Sequence, residues 1–374
     1  MADAPFIQSL LLTDFRSYHS LDIGFDGRPV VLYGDNGAGK TNLLEAISLL
    51  SPGRGLRRSK LSEMARRVDG EPKEYWGVAA DLQTGDGVIK IGTGQIPGAA
   101  NRRQIRIDGA AGSGTKLAKL LTVNWLIPAQ DRLFTGPASD RRKFLDRLCL
   151  VHEPSHGRTS LAYEKSRAER GRLLTDGIDD DYWFDALETD MAERGAKIAK
   201  ARWQALEKLQ SEIENQAQSR FPKAIISLDG EAESLYAAGA DEIDVCEFIK
   251  AGLQEDRPQD RRAGRTLRGV HKSDLLVTHM EKNMPARDCS TGEQKALLIG
   301  LILAHARAQS GRAPLLLLDE VCAHLDEFRR AALIEELLAL KTQVFLTGTD
   351  ADLFSAFAGR AQMFKVEEGR LTAQ

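Results

Sequence analysis

The chain has 374 residues, of which 42% are hydrophobic and 28% charged, a balance typical of a globular protein with two or three domains. No apolar run approaches the roughly 20 residues needed to cross a bilayer, and the N-terminal segment lacks the basic start and cleavage site of a signal peptide, so we expect a cytoplasmic protein without a membrane segment. The four cysteines form no CxxC pair, which argues against a zinc site or a disulfide framework, and the net charge of −3 argues against a surface coated with DNA-binding charge.

The first predicted elements, over residues 6–50, are a strand, a loop, a second strand, a glycine-rich loop and a helix. The glycine-rich loop, GDNGAGKT, fits the phosphate-binding pattern G-x-x-x-x-G-K-[ST] at every fixed position, and its flanks supply the strand and helix that the pattern requires. In such a P-loop, Lys40 reaches the β- and γ-phosphates and Thr41 holds Mg²⁺; the alternative is a glycine loop that binds nothing. The predicted phosphate-binding residues are Gly34, Asp35, Asn36, Gly37, Ala38, Gly39, Lys40, Thr41 and Asn42.

Two segments are locally basic. Residues 54–67 hold six basic side chains against the single acid Glu63, and residues 255–272 hold six against three. Local patches bind phosphate backbones whatever the net charge of the chain, although a solvated face explains either segment equally well. The first DNA-binding candidates are Arg54, Arg57, Arg58, Lys60, Arg66 and Arg67, and the second candidates run from Arg257 to Arg268.

The middle of the chain changes from strands to helices. Short strands with glycine turns are predicted over residues 75–110, and another strand ends at Pro128. From residue 138 the pattern is helical, with a long amphipathic helix from about 182 to 219 that forms a helical hairpin with residues 158–175. A strand is predicted at 224–228, and the polar stretch 254–265 is predicted as a mobile loop.

The C-terminal part contains two predicted buried parallel strands, at 315–318 and 344–349. Asp319 and Glu320 follow the first of them, at the strand end that faces the nucleotide in a P-loop sheet. Asp319 suits the binding of Mg²⁺, and Glu320 suits acceptance of a proton from the attacking water. The alternative is a strand end with two solvated acids.

The segment S-T-G-E-Q-K, from Ser290 to Lys295, opens a long apolar helix. Main-chain N–H groups and a hydroxyl at a helix start form an anion site, and because the P-loop already holds one phosphate chain, this second site is predicted to act on the nucleotide of another subunit. The alternative is simple capping, with Ser290 as the cap and Glu293 completing a capping box.

The order of these motifs resembles that of the ATP-binding-cassette (ABC) ATPases. The segment 290–295 is similar to their signature motif, which acts in trans, and Asp326 after Leu325 is similar to their D-loop. Thr347 to Thr349 lie where those proteins place a switch residue, and Gln130 is similar to their Q-loop glutamine, a further Mg²⁺ ligand. The resemblance implies trans contacts by Ser290, Gly292, Glu293, Gln294 and Lys295.

Within that group the chain resembles the RecF family of bacterial recombination mediators. Four segments carry the resemblance: L-L-T-D-F-R-S-Y at 11–18, G-D-N-G-A-G-K-T-N-L-L-E-A-I at 34–47, R-R-K-F-L-D at 141–146 and G-V-H-K-S-D at 269–274, where Val270 replaces the usual proline. By this resemblance Arg16 lies against the adenine or ribose of ATP. The chemistry of the residues His271 to Asp274 is not explained by sequence reasoning.

The resemblance implies an α/β fold: an ABC-type P-loop ATPase head with a mixed sheet and flanking helices, plus a mainly helical lobe. The expected boundaries are 1–137 and 276–374 for the head and 138–275 for the lobe. It also implies ATP and Mg²⁺ as cofactors, an ATP-dependent homodimer, slow DNA-stimulated ATP hydrolysis, and binding of duplex DNA or a single-strand gap junction. The implied role is gap repair and replication-fork maintenance in the response to DNA damage, with RecR and RecO helping to load RecA.

Three other functions can be compared with the sequence. In a transporter ATPase subunit the signature follows the P-loop by about a hundred residues, whereas Lys40 and Ser290 are 250 residues apart here. A chromosome-organising ATPase needs long heptad repeats or a zinc hook, and the chain has neither. A scaffold that binds ATP without hydrolysing it differs only in the activity of Glu320.

Overall fold

The computed structural model describes residues 4–95, 98, 103–178, 180–216, 219–309, 314–323 and 325–374. The chain forms two compact units. The first unit comprises Met1–Asp131, Gln218–Phe221 and Thr291–Gln374, and the second comprises Arg132–Ala217 and Pro222–Ser290.

The strands of the described chain are numbered along the sequence. They are β1 (Phe6–Phe15), β2 (Tyr18–Gly24), β3 (Val30–Tyr33), β4 (Arg67–Val68), β5 (Glu71–Pro72), β6 (Trp76–Thr84), β7 (Gly87–Gln95), β8 (Arg103–Ile107), β9 (Ala110–Ala111), β10 (Val123–Leu126), β11 (Ala224–Asp229), β12 (Asp274–His279), β13 (Met284–Pro285), β14 (Leu315–Leu318), β15 (Val344–Gly348), β16 (Gln362–Glu367) and β17 (Arg370–Ala373).

The helices are numbered in the same way. They are α1 (Lys40–Ser48), α2 (Gly114–Leu120), α3 (Ala138–Cys149), α4 (His156–Thr175), α5 (Asp181–Asn215), α6 (Glu231–Ala237), α7 (Glu242–Glu255), α8 (Arg257–Ala263), α9 (Thr291–Arg307) and α10 (Glu327–Ala339). None of the described helices is both long enough and apolar enough to cross a membrane.

The first unit is built around a sheet of order β10-β14-β15-β3-β16-β17, in which the strands from β10 to β16 are parallel and β17 is antiparallel. All residues of β3, β14 and β15 are buried, which explains their uninterrupted apolar sequences and confirms the two strands predicted at 315–318 and 344–349. Because the strands are parallel, the loops that carry the P-loop and Asp319 leave the sheet at the same edge.

A second sheet in the first unit is antiparallel, with order β2-β1-β6-β7-β8-β9. It confirms the strands predicted over residues 75–110. Alternate residues of β6 are buried, as expected of a strand with one face against the core. One hydrophobic cluster joins this sheet, α1 and the parallel sheet, and includes an edge-to-face contact of Phe15 and Trp76 at 5.5 Å between ring centroids. The P-loop helix is therefore held by apolar packing along its length.

The second unit contains the predicted helical hairpin, formed by α4 and α5. Met191, Ile198, Leu206 and Leu209 on α5 are buried, which confirms the apolar stripe read from the sequence, although the helix ends earlier than predicted, at Asn215. A small antiparallel sheet of order β11-β12-β13 completes the unit. Because β12 continues across residue 275, the predicted boundary at 275/276 divides a paired strand, and the second unit instead extends to Ser290.

The prediction of a mobile loop over 254–265 is wrong, because the structure has α8 there. Pro258 lies in the first turn of α8, where the missing N–H breaks no helical hydrogen bond. Arg257 fixes the helix start through ion pairs with Asp181, Asp185 and Glu188 on α5. A polar sequence with a proline is typical of a loop, but here ion pairs with α5, which is distant in the sequence, stabilise a helix.

Candidate nucleotide site

The candidate site lies at the carboxyl edge of the parallel sheet. There β15 lies between β3, which leads into the P-loop, and β14, which leads into Asp319 and Glu320. The strand order therefore places Thr347 of β15 between the two predicted halves of the site. Gln130 follows β10 at the far side of β14.

The P-loop turns through three glycines with positive φ, namely 141° at Gly34, 85° at Gly37 and 116° at Gly39. Side chains other than glycine rarely adopt these angles. At Gly39 space is also closed, since a Cβ atom would lie 2.8 Å from Ser17 Oγ and 3.2 Å from Tyr18 Oη. The Tyr18 hydroxyl donates a hydrogen bond to the Gly39 carbonyl at 3.0 Å. The N-terminal F-R-S-Y segment thus supports the P-loop, a role that sequence reasoning did not assign.

Lys40 is almost fully buried at the start of α1. Its ammonium group donates to the carbonyl oxygens of Gly34, at 2.6 Å, and Asp35, at 2.8 Å, so it spans the loop that it closes. Burial lowers the pKa of Lys40, and the carboxylates of Glu320, Asp319 and Asp35 partly offset that effect. The cation lies among the groups that the P-loop pattern predicts beside a phosphate chain.

Thr41, Asp319 and Thr347 form the centre of the site. The Thr41 hydroxyl donates to both carboxylate oxygens of Asp319, at 2.9 and 3.1 Å, and the Thr347 hydroxyl donates to Asp319 Oδ1 at 2.8 Å. The structure therefore brings the two predicted Mg²⁺ ligands into direct contact. A hydroxyl and a carboxylate are the hard oxygen donors that Mg²⁺ prefers, usually completed by waters and phosphate oxygens.

Glu320 adopts a left-handed backbone conformation, with φ of 50°, which costs an ordinary residue about 1–2 kcal/mol. Its N–H group donates to Thr347 Oγ1 at 2.9 Å. The same threonine hydroxyl therefore contacts both acids that follow β14. This contact offsets the strained turn and fixes the position from which the Glu320 side chain leaves the strand.

Gln130 lies in a 3₁₀ turn after β10. Its side-chain oxygen Oε1 accepts a hydrogen bond from the Ile127 N–H at 3.2 Å. The atom that the Q-loop resemblance assigns to Mg²⁺ is therefore engaged with the chain's own backbone. Its neighbour Asp131 lies 3.7 Å from Lys295.

Arg16 and Arg57 both contact Glu45, which is completely buried on α1. Arg16 makes two hydrogen bonds to the Glu45 carboxylate, at 2.9 and 2.8 Å, and Arg57 donates to Asn42 Oδ1 at 2.9 Å. Glu45 has no counterpart among the sequence-predicted site residues, because one glutamate in a helix gives no signal. It anchors two arginines to the helix that begins at the P-loop.

Most basic side chains of the segment 54–67 are exposed. Arg57 is tied to α1 by its contacts with Asn42 and Glu45, and Arg66 contacts Asp14 at 2.9 Å. The exposed residues are Arg54, Arg57, Arg58, Lys60 and Arg67.

The residues of the predicted signature motif differ in their exposure. Ser290 is exposed immediately before α9, whereas Gln294 and Lys295 are buried. Lys295 donates to the Ala323 carbonyl at 2.9 Å, so it supports its own chain after Glu320. Gly292 and Glu293 are half-buried.

The remaining predicted residues lie near the carboxyl edge. Asp326 is exposed and caps α10 by accepting from the Arg329 N–H at 2.8 Å. Thr349 is exposed after β15. His324, which precedes the predicted D-loop residues in the sequence, lies outside the described residues.

Comparison with known proteins decides the family. A family model described as the RecF/RecN/SMC N-terminal domain matches residues 6–372. The DNA replication and repair protein RecF of Mesorhizobium japonicum is 52% identical over 370 residues, covering 97% of this chain and 96% of that protein. The chain belongs to the RecF family. RecF of Caulobacter vibrioides is 48% identical, with 100% of this chain and 99% of that protein covered.

Solved RecF structures have the same architecture. The recombination mediator RecF with ATPγS has a TM-score of 0.84 at 25% identity, covering 99% of this chain and 98% of that chain. An SMC head domain from Pyrococcus furiosus has a TM-score of 0.56 at 16% identity, covering 99% and 96%, and shows the shared fold alone. These likenesses confirm the predicted ABC-type ATPase head and mixed α/β fold.

The RecF-family segments 141–146 and 269–274 contact each other in the second unit. Arg141 forms two hydrogen bonds with the Asp274 carboxylate, both 2.7 Å, and Arg142 donates to the Ser273 carbonyl at 2.8 Å. The pairing ties α3 to the start of β12.

His271 accepts from Tyr163 Oη at 2.9 Å and, through Nε2, donates to the Thr266 carbonyl at 3.1 Å. These contacts give the unexplained His271–Asp274 segment a structural role.

Asp146 completes the first RecF-family segment. Its carboxylate accepts from Arg202 at 2.8 Å and lies 3.0 Å from His156 Nε2. Burial by itself raises the pKa of Asp146, but Arg202 and His156 outweigh burial and hold that pKa well below its usual range. Arg202 also donates to the Val270 carbonyl at 2.6 Å, so Val270, which replaces the usual proline, retains a packed position.

Proposed function

We propose that this RecF-family protein binds ATP and acts as an ATP-dependent, DNA-binding recombination mediator in DNA repair and replication. The contact of Thr41 with Asp319 below the P-loop is the observation that carries the proposal, because it joins the two halves of a nucleotide site from residues 278 positions apart. The naming of relatives about half identical to this chain as DNA replication and repair protein RecF supports it.

ATP binding follows from the P-loop. Its N–H groups and Lys40 would hold the triphosphate, and Thr41 and Asp319 would hold Mg²⁺. The bound ion would neutralise charge on the phosphates. The donor set fits the ion, since both residues offer oxygens that already meet within 3.1 Å. Gln130, the third predicted ligand, must leave the Ile127 N–H to take part.

Hydrolysis is assigned to Glu320 as the residue that accepts a proton from the attacking water. Thr347 positions it through the hydrogen bond to its main-chain N–H. We propose slow, DNA-stimulated turnover that serves as a switch, with ATP favouring a homodimer on DNA and hydrolysis releasing the DNA.

Dimerisation is assigned to the exposed start of α9. Ser290 is exposed, and together with the helix N-terminus it would contact the nucleotide of a second subunit. Gln294 and Lys295 are buried, and their role in this interface is therefore to hold the helix start rather than to contact the partner.

DNA binding is assigned to the exposed arginines and lysine of the segment 54–67. Contacts of such side chains with phosphates weaken as salt rises, because binding releases counterions. The solved RecF structures are described as those of a recombination mediator in the RecFOR pathway. By family membership we propose RecR as a partner, with RecO and RecA loading at gaps or junctions, in the cytoplasm.

The experiment that tests this function measures ATP binding and hydrolysis for Lys40→Ala and Glu320→Gln. Lys40→Ala removes the cation that faces the phosphates, so we expect at least a hundredfold weaker ATP binding, on the order of 3 kcal/mol. Glu320→Gln is expected to keep ATP affinity and to lower kcat at least about a hundredfold.

Lys119→Ala, at an exposed lysine of α2, is the matched control and should leave both quantities unchanged. Unaltered hydrolysis in Glu320→Gln would refute its role as the general base. Unaltered affinity in Lys40→Ala would refute the nucleotide site. If the wild type binds ATP but does not hydrolyse it with DNA present, the alternative of an ATP-locked scaffold holds instead.

A further inference from the structure

The second unit contains a surface pocket of about 340 Å³ that the nucleotide chemistry does not use. Its walls come from four places: residues 229–233 at the end of β11 and the start of α6, part of α7, Asp256 and Gln259 at the start of α8, and residues 267–273. A volume of this size falls in the range of sites that bind small molecules or single side chains.

Glu233 lies at the base of this pocket and is 2% exposed. Its Oε1 atom accepts from Ser273 Oγ at 2.7 Å and lies 3.4 Å from Arg202 Nη1. Its Oε2 atom is buried and has no hydrogen-bond partner among the described residues. A buried acceptor without a donor is destabilising, and more so when the group is charged, so this oxygen marks a position where a donor is missing.

Because residue 230 is glycine, no Cβ atom fills the space beside that oxygen. The φ of −171° at Gly230 is an extended conformation open to any residue, so backbone geometry does not require glycine. A Cβ atom at this position would collide with Glu233 Oε2 and would lie 2.8 Å from Ser273 Oγ. Because Gly230 itself lines the pocket, the bare Cα leaves the carboxylate directly behind the pocket wall.

The charges around the pocket favour a cation. Asp229, Glu231 and Asp256 line it together with Glu233, against two basic residues. One of these, Arg268, is already placed against Glu231 at 3.2 Å and Asp256 at 3.6 Å. The carboxylates repel phosphate, so this part of the second basic segment does not suit DNA.

One wall of the pocket is apolar. Ile249 and Leu253 are buried beside it, and Phe248 is 37% exposed at its rim. The Phe248 ring already lies 6.0 Å from the Arg268 guanidinium. An apolar wall that leads to a carboxylate suits a side chain with an alkyl stem and a cationic head.

We infer that this pocket receives an arginine side chain of a protein partner, with the guanidinium group donating to Glu233 Oε2. Arginine fits better than lysine because its planar head offers several donors and also stacks on an aromatic face such as Phe248. The occupant comes from outside the chain, since the rim residues Asp229, Glu231 and Lys272 are exposed. The inference is independent of the nucleotide site.

The test uses the full chain and two peptides, acetyl-Gly-Arg-Gly-amide and the same peptide with citrulline, which has the shape of arginine without its charge. Binding is followed by saturation-transfer NMR and titration calorimetry. We expect the arginine peptide to bind with a dissociation constant on the order of 1 mM, or about −4 kcal/mol, and the citrulline peptide to bind at least tenfold more weakly.

Variants locate the site. Glu233→Gln replaces the unpaired oxygen by a donor and should weaken binding of the arginine peptide at least tenfold. Because this residue is buried, the exposed rim variant Asp229→Asn with Glu231→Gln is a second test that does not depend on Glu233, and it should weaken binding about threefold. Glu247→Gln, at an exposed acid of α7 outside the pocket, should change nothing.

Three results would overturn the inference. The first is equal binding of the arginine and citrulline peptides. The second is unchanged binding in both the Glu233 and the rim variants. The third is competition by duplex DNA or tighter binding of spermidine than of the arginine peptide, which would make this a site for nucleic acid or for free polyamine.

Discussion

Thr347 is completely buried, and its hydroxyl both donates to Asp319 and accepts from the Glu320 N–H. The sequence predicts a switch residue between 347 and 349, but no sequence pattern predicts this double contact. A threonine in an apolar strand is equally compatible with a purely structural position in the core. The structure assigns Thr347 to positioning the two acids, whereas Thr349 is exposed.

The variant Thr347→Val keeps the shape and removes the hydroxyl. We expect kcat for ATP hydrolysis to fall about tenfold to a hundredfold, in line with the loss of a supporting contact behind a metal ligand, and ATP affinity to change less. Stability should fall by about 1–3 kcal/mol because the Glu320 N–H loses its acceptor. Steady-state kinetics, nucleotide titration and denaturant unfolding measure these effects.

Thr342→Val is the control. Thr342 is also buried, and its hydroxyl donates to the Pro314 carbonyl at 3.1 Å, before β15 begins. It should lose stability without the loss in kcat. Equal kcat losses in the two variants would mean that Thr347 acts only through folding.

His271 predicts a pH dependence of stability. Burial lowers its pKa to about 4, with Arg167, Lys272 and Arg142 adding to that effect and the Thr266 carbonyl opposing it. Between pH 6.5 and about 4 the unfolded chain binds a proton that the folded chain does not bind, so stability falls as pH falls. At pH 5 this amounts to about 2 kcal/mol.

Chemical unfolding of the wild type and His271→Gln at pH 7 and pH 5 measures the effect, and the variant should lose less stability between the two values. His19→Gln removes a histidine whose side chain is 76% exposed and should behave as the wild type does. Identical losses in all three proteins would contradict a neutral, half-buried His271.

At the scale of elements, the parallel strands and the P-loop follow directly from the sequence, because the apolar runs are short and are bounded by prolines, glycines or acids. The helix α8 does not, since its sequence is polar and contains proline. Arg257 stabilises it by contacting Glu188, buried on α5, at 2.6 Å, and Arg170 contacts the same carboxylate at 3.0 Å. Contacts between residues about 70 positions apart leave no trace in local composition.

The residues of the candidate site also differ in how far the sequence predicts their positions. Lys40, Thr41 and Asp319 belong to sequence motifs, and Thr41 and Asp319 lie in contact in the structure; their roles toward ATP and Mg²⁺ stay predictions. Lys295 lies in the predicted signature motif and is buried, with its ammonium group donating to the Ala323 carbonyl. The spacing of residues identifies a motif but does not give the direction of each side chain. That direction depends on how the helix packs against the rest of the chain.

The variant Arg257→Met tests α8. It removes the ion pairs with α5 but leaves Arg170 beside Glu188, so we expect a loss of about 2 kcal/mol, less than the 3–5 kcal/mol typical of an unpaired buried charge. Arg262→Met, on the exposed side of the same helix, should change stability by less than about 0.5 kcal/mol. Denaturant unfolding gives both values, and equal values would show that α8 does not depend on these ion pairs.

At the scale of the whole molecule, the proposed function requires two chains. In that proposal the P-loop and the start of α9 each supply one half of a phosphate site, and the exposed Ser290 meets the nucleotide of a second subunit. ATP is therefore expected to act as the link between two copies, and DNA binding to follow from that link.

The most direct test is light scattering of the full chain with duplex DNA absent, in the Glu320→Gln background that retains ATP. We predict the mass of one chain without nucleotide and of two chains with ATP and Mg²⁺, while Ser290→Arg binds ATP but keeps the mass of one chain. Ser211→Arg, at an exposed serine of α5, should still dimerise. A single-chain mass with ATP bound, or an ATP-induced dimer of Ser290→Arg, would contradict the ATP-linked dimer.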